Sequence, residues 1–216
     1  MKRNHLTGAL RKLNDPALFD LQQCGLNGEL VGFDDLVPLF WSSPLNRGIL
    51  RQDLDEAAAL YRAIRRLASP VGVEIGRLYG GSTLLLASAV GRGGRVISID
   101  IAPKDDGALR EILRRAGLSD RVELLALDAN QAGVGTPLDF LLVDGDHSYD
   151  GAKSDHKRWV GQVRPGGLVA YHDMAFARPL ATQEAALKRL RAEILAQRPP
   201  CLKLLTEAGS LSILQR

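Results

Sequence analysis

Five short apolar runs in this chain each end in a carboxylate. They are Val71–Glu74, Val96–Asp100, Leu124–Asp128, Phe140–Asp144 and Leu168–Asp173, the last closing on Tyr171-His172-Asp173. Runs this short and this apolar suit strands buried on both faces, as in a parallel sheet. Helical patterns separate them, so each strand feeds a crossover. Parallel strands end on one edge, so the five acids are expected along one rim, where open α/β sheets bind ligands. A row of acids there suits a ligand rich in hydroxyl, amine and cationic groups, or a metal ion.

The chain has 216 residues, enough for one sizeable α/β core. Its 28 Lys and Arg against 25 Asp and Glu leave a net charge of +3. The basic residues are scattered, with Arg65-Arg66 and Arg114-Arg115 on expected helices. That pattern reads as solvated helix faces, and no nucleic-acid partner is expected. There is no apolar run of about 18 residues, so no membrane partner is expected. The basic N-terminus lacks the apolar core of a signal peptide. Cys24 and Cys201 stand alone without CxxC spacing, which fits a reducing compartment, the cytoplasm.

Residues 1–50 form no regular pattern. Gly25, Gly28, Gly32, Pro38, Pro44 and Gly48 punctuate them, with Phe33, Phe40 and Trp41 between. They read as an extension packed on the main domain by its aromatics, or as a lid or homo-oligomer contact near the substrate pocket. A chain beginning near Gln52 is expected to keep ligand binding. Residues 51–216 form the main domain. Asp53 can cap a helix, with Glu56 reaching back. Leu54, Ala57, Ala58, Tyr61, Ile64 and Leu67 fall on its apolar face. Further helices are expected after Gly80-Gly81, over Leu109 to Ala116, from Tyr149 to Val163, and from Ala186 to a stop at Pro199-Pro200. Gly133, Gly135 and Pro137 allow only a short helix after Asp128. Strand five is expected at 167–171. Leu202–Thr206 and Leu211–Leu214 flank Glu207-Ala208-Gly209-Ser210 as a closing antiparallel hairpin.

The segment Glu74-Ile75-Gly76-Arg77-Leu78-Tyr79-Gly80-Gly81-Ser82-Thr83 lies between a strand and a helix, the context of a nucleotide loop. Leu78 stands where GxGxxG needs its second glycine, and the P-loop lysine is missing. A loop that cradles an uncharged or cationic nucleoside fits better, with Glu74 beneath it. Asp100 follows Gly76 by 24 residues. An acid at that strand end accepts hydrogen bonds from ribose hydroxyls. His147, three residues past Asp144, is a candidate base, with Asp146 and Asp150 near enough to raise its pKa. Its alternative role is packing against Tyr149. His5 and His156 read as structural.

The set Glu74-Ile-Gly-x-x-x-Gly-Gly-Ser, Ser98-Ile99-Asp100, Val143-Asp144-Gly145-Asp146-His147-Ser148-Tyr149, Arg164-Pro165-Gly166-Gly167 and Tyr171-His172-Asp173 resembles class I S-adenosylmethionine-dependent methyltransferases. The resemblance covers about residues 71–175. It is closest to small-molecule O-methyltransferases, including macrolide sugar methyltransferases and cephalosporin-hydroxylase-like proteins.

It implies a Rossmann-like fold, a seven-stranded mostly parallel sheet with a C-terminal antiparallel hairpin. It implies S-adenosylmethionine as cofactor and a small-molecule hydroxyl as methyl acceptor. Glu74, Gly76, Arg77, Tyr79, Gly80, Gly81, Ser82 and Thr83 would hold the methionine part, and Asp100 the ribose. Asp128 and Ala129 would meet the adenine, and Asp144 would lie under the sulfonium and acceptor. Metal-dependent relatives bind a divalent cation with a position like Asp144 and an acidic pair after strand five. Here that pair is His172-Asp173. Asp144, His172 and Asp173 therefore either hold magnesium or manganese, or cap strand ends and orient the cofactor. Two other classes remain open: a nicotinamide-dependent oxidoreductase, which Leu78 argues against, and a non-catalytic cofactor-binding protein.

Overall fold

The computed structural model describes residues 28–40, 48–175, 182–197 and 201–216. His5, Cys24, Gly25, Trp41, Pro44 and the Pro199-Pro200 stop lie outside them.

The strands are β1 (Val71–Ile75), β2 (Arg95–Asp100), β3 (Val122–Ala126), β4 (Leu138–Val143), β5 (Val163–Tyr171), β6 (Lys203–Ala208) and β7 (Leu211–Gln215). They form one sheet in the order β3-β2-β1-β4-β5-β7-β6. β1 to β5 are parallel, and β7 runs antiparallel to both β5 and β6. The chain works outward from β1 to β3, then returns to β4 beside β1. That reversal opens a crevice at the carboxyl ends of β1 and β4. The described helices are α1 (Leu54–Arg65), α2 (Gly81–Val90), α3 (Asp106–Arg115), α4 (Tyr149–Trp159) and α5 (Thr182–Ala196).

The strands bury both faces, as their apolar runs require. Phe140 and Leu142 of β4 join a cluster with α1, α2 and α3, while Leu141 and Val143 join the cluster of α4 and α5. The period-two alternation of a strand divides the two layers. Helix α2 is buried nearly all round, which suits its run of Leu, Ala and Val.

Leu30, Leu36, Leu39, Phe40, Ile49 and Leu50 are buried in the first of these clusters. Phe33 packs edge-on against Phe40 and Tyr61, at 6.1 and 5.4 Å between ring centroids. The described part of the extension is thus core, as its aromatics suggested. Two elements differ from expectation. β5 begins at Val163, which pairs with Leu138 at the start of β4. Asp128 is followed by turns alone, as its neighbouring glycines and proline favour.

Candidate active site

The loop from β1 to α2 is held in place from below. Gly76 has φ +86°, and a Cβ there would lie 2.2 Å from the carbonyl oxygen of Asp144, so the ends of β1 and β4 close together only over a glycine. Leu78 also takes positive φ, at +52°, and is 45% exposed. Arg77, expected at the cofactor, lines the cleft, while its guanidinium is buried under the loop. It makes a two-bond pair with Asp106 at 2.7 and 2.8 Å and donates to the carbonyls of Ser98 and Leu125. All that Arg77 offers the loop from above is backbone.

Asp100, closing β2, organises the same loop. Its carboxylate accepts from the backbone N–H groups of Arg77 and Leu78 at 2.9 and 3.0 Å, and from Ala102 at 2.8 Å. Glu74 departs from the expected rim. It is fully buried, and one carboxylate oxygen accepts from Thr83 and Ser98, each at 2.5 Å. Burial pushes its pKa up to about 7, against the hydrogen bonds from Ser82, Ser98 and Thr83. Glu74 therefore supports the loop from inside the fold, with Gly80 and Thr83, and does not face the cleft.

The cleft itself has a volume of about 730 Å³. Asp100, Asp128, Asp144 and Asp173 line it, so four of the five expected acids share one rim. Gly76, Tyr79, Gly81 and Ser82 of the loop line it too, as do Ala129 and Asn130 beyond β3. Trp159 of α4 donates to the carbonyl of Ala129 at 3.2 Å, which fixes that turn. Asp155 of α4 also reaches the cleft, and burial beside Asp128 and Asp146 pushes it up to about 6.

At one end stand two histidines among three acids. His147 bridges Asp144 and Asp173, its nitrogens 3.5 Å from each carboxylate. Its hydrogen bond with Asp144 raises its pKa, against burial, and the charges of Asp144 and Asp173 add to the rise. Asp146, expected to share in that effect with Asp150, accepts from Ser148. His172 is turned differently from expectation. Its Nδ1 faces Asp144 at 3.1 Å and its Nε2 faces Glu56 of α1 at 3.0 Å, so neither nitrogen is free for a metal. Burial alone would lower its pKa, but Asp144, Glu56 and Asp173 outweigh that and push it up to about 11. These carboxylates favour the charged form of His172.

Glu56, a helix cap by its sequence pattern, also reaches the rim. Its other oxygen accepts from the backbone N–H of Ser210 at 2.6 Å and lies 2.7 Å from the Ser210 hydroxyl, whose single proton serves either Glu56 or Asp173, 3.0 Å away. Its capping bond to Asp53 is present as well. Neither Ser210, in the hairpin turn, nor Gln52, before α1, carried any motif that could have drawn attention to it. Three ligand-type atoms of Asp144, His147 and Asp173 lie within 4.8 Å of one another. His147 thus takes the place expected of His172 in the candidate metal group. Two carboxylates and an imidazole suit a divalent cation of the manganese, iron or zinc kind better than magnesium.

Residues 73–174 match the family model described as a methyltransferase domain. The catechol O-methyltransferase of Mycobacterium tuberculosis is 42% identical over 121 residues, covering 49% of this chain and 54% of that protein. Caffeoyl-CoA O-methyltransferase 2 of Petunia hybrida is 28% identical over 131 residues, covering 57% and 53%. The chain therefore spans about half the length of these curated relatives. An O-methyltransferase from Bacillus cereus, solved in complex with S-adenosylhomocysteine, superposes with a TM-score of 0.58 at 23% identity over 77% of this chain and 83% of that one. A cofactor-bound protein from MTB gives a TM-score of 0.64 at 22% identity over 77% and 81%. The two structures share the fold, and among the described residues no helix is long and apolar enough to cross a membrane. The chain shares the Rossmann-like fold of these structures, and its residues 73–174 are similar to a methyltransferase domain.

Proposed function

We propose that this chain binds S-adenosylmethionine in the cleft and transfers its methyl group to the oxygen of a small hydroxyl-bearing molecule. One observation carries the reading. The glycine loop with Asp100, and the Asp144–His147–Asp173 group, line one cleft at the switch point of the sheet. The relatives named for catechol and caffeoyl-CoA make phenolic hydroxyls the first acceptors to try. The free, exposed thiol of Cys201 is consistent with work in a reducing compartment such as the cytoplasm.

Bound S-adenosylmethionine would supply a methyl group on a sulfonium, open to in-line displacement. The loop over Gly76–Ser82 would hold the methionine part and Asp100 the ribose, and together they would fix the reacting carbon. His147 would take the proton of the acceptor hydroxyl as the new O–C bond forms and the C–S bond breaks, its electron pair staying on sulfur. Asp144 and Asp173 would orient the imidazole and stabilise its charged form. A protonated His172 would place positive charge between Glu56 and Asp144.

The spacing of Asp144, His147 and Asp173 favours a second reading. These residues would hold a divalent cation, which would lower the acceptor's pKa as a Lewis acid. Ligation and base catalysis compete for one imidazole, so chelation separates them. The test is transfer of labelled methyl to a panel of phenols and catechols, with and without chelator. Activity that survives chelation, with a loss of about 10²–10⁴-fold in His147→Ala, supports the base. Activity abolished by chelation and restored by manganese supports the metal. A protein that binds S-adenosylhomocysteine yet methylates no acceptor refutes catalysis.

A further inference from the structure

Gln52 is 5% exposed, and its side-chain oxygen and nitrogen are both buried with no hydrogen-bond partner among the described residues. It also lines the cleft. Folded proteins pair nearly all their buried polar atoms, and an orphaned amide is costly to the empty protein. Two orphaned atoms on one pocket-facing side chain point to a ligand that offers both a donor and an acceptor.

The position of Gln52 narrows that ligand. The backbone just before it packs directly against the start of α2. A Cβ on Gly81 would lie 2.3 Å from the carbonyl oxygen of Ile49 and 2.6 Å from the Cα of Leu50. Helix α2 has ten residues and no side-chain cap at its N-terminus. Gly81 and Ser82, in its first turn, line the same cleft as Gln52. An uncapped helix start favours a carboxylate. A primary amide beside it adds one more donor, and an oxygen able to accept from a cation.

We propose that Gln52 recognises the α-amino acid end of S-adenosylmethionine, its N–H donating to the carboxylate and its oxygen accepting from the ammonium. The inference rests on the cofactor assignment above, and the residue lies outside the segment matched by the family model, 73–174. Gln52 would make the cleft select the intact cofactor over nucleosides that share its sugar, base and sulfur but lack the amino acid tail.

The test is calorimetric binding of S-adenosylhomocysteine and of 5′-methylthioadenosine, which lacks that tail. Gln52→Leu should weaken S-adenosylhomocysteine ten- to a hundredfold and leave 5′-methylthioadenosine within twofold. Gln52→Glu, of the same shape but opposed to a carboxylate, should lose at least as much on the first ligand alone. The unliganded Leu variant should melt no lower than the wild type, because an orphaned amide has been removed. Equal losses on both ligands, or none on either, would overturn the proposal, as would an effect confined to the KM of the methyl acceptor. A wild type that binds neither ligand would instead overturn the cofactor assignment, and this proposal with it.

Discussion

The carboxylates of this site have unlike tasks because their surroundings differ. Asp100 spends its acceptors on three backbone N–H groups, so it shapes the loop as well as facing the cleft. Asp100→Ala should cost about 1.5–3 kcal/mol of cofactor binding, the scale of hydrogen bonds to a charged group. That is roughly ten- to a hundredfold by calorimetry. Unchanged affinity would remove Asp100 from the site. Glu74 is buried outside the cleft lining and poses a stability problem. Its folded pKa of about 7 stands above its ordinary 4.5, so the folded state holds the proton more tightly. Stability is therefore lost as pH rises from about 4.5 through 7, and is level above that. At about 1.4 kcal/mol per unit the whole loss is on the order of 3 kcal/mol. Glu74→Gln should flatten that decline in urea midpoints measured across the same range. A variant that tracks the wild type would show that Glu74 stays charged or titrates elsewhere.

At the scale of elements, the rim is tied together by pieces distant in the chain. Glu56 comes from α1, His172 from the end of β5 and Ser210 from the β6–β7 turn. The tie runs through a carboxylate 3% exposed. Burial would raise the pKa of Glu56, but His172 and Ser210 hold it down at about 2. Removing one member of such a buried pair strands the other. Glu56→Ala should destabilise the fold by about 3–5 kcal/mol, the cost of an uncompensated buried charge. Ser210→Ala, which leaves the ion pair intact, should cost about 1–2 kcal/mol. Chemical denaturation of both variants checks the order. Equal losses would mean the hairpin contact, not the ion pair, sets the cost.

At the scale of the molecule, residues 28–40 and 48–50 cannot be treated as an accessory. Leu30, Leu36, Leu39, Phe40, Ile49 and Leu50 belong to the larger apolar cluster. Burying each such side chain is worth about 1.5–3 kcal/mol. Six together match or exceed the typical net stability of a domain, about 5–15 kcal/mol. A chain cut to begin at Gln52 should therefore fail to fold cooperatively. That outcome, read by circular dichroism and melting, runs against the expectation that such a chain would keep cofactor binding. A cooperative melt of the fragment would show that α1 and α2 close the core without the extension.

Much of the architecture was legible because strands and crossovers leave local marks. Five acid-tipped apolar runs, glycines at the turns and the spacing from Gly76 to Asp100 are properties of neighbouring residues. They suffice for the parallel sheet, its ligand edge and the hairpin that closes it. What a side chain does at that edge depends on partners far away in sequence. Arg77 lies inside the loop motif, yet its guanidinium points down to Asp106, because the buried carbonyls of Ser98 and Leu125 need a donor. His172 follows the metal-ligand pattern, yet Glu56, 116 residues earlier, occupies its second nitrogen. Gln52 belongs to no motif and gains meaning only when the fold buries it at the cleft. The sequence alone determined the order of the strands' chemistry along one rim. Tertiary packing decided which of those groups face the ligand, because burial and hydrogen-bond partners are set by contacts that no local pattern encodes.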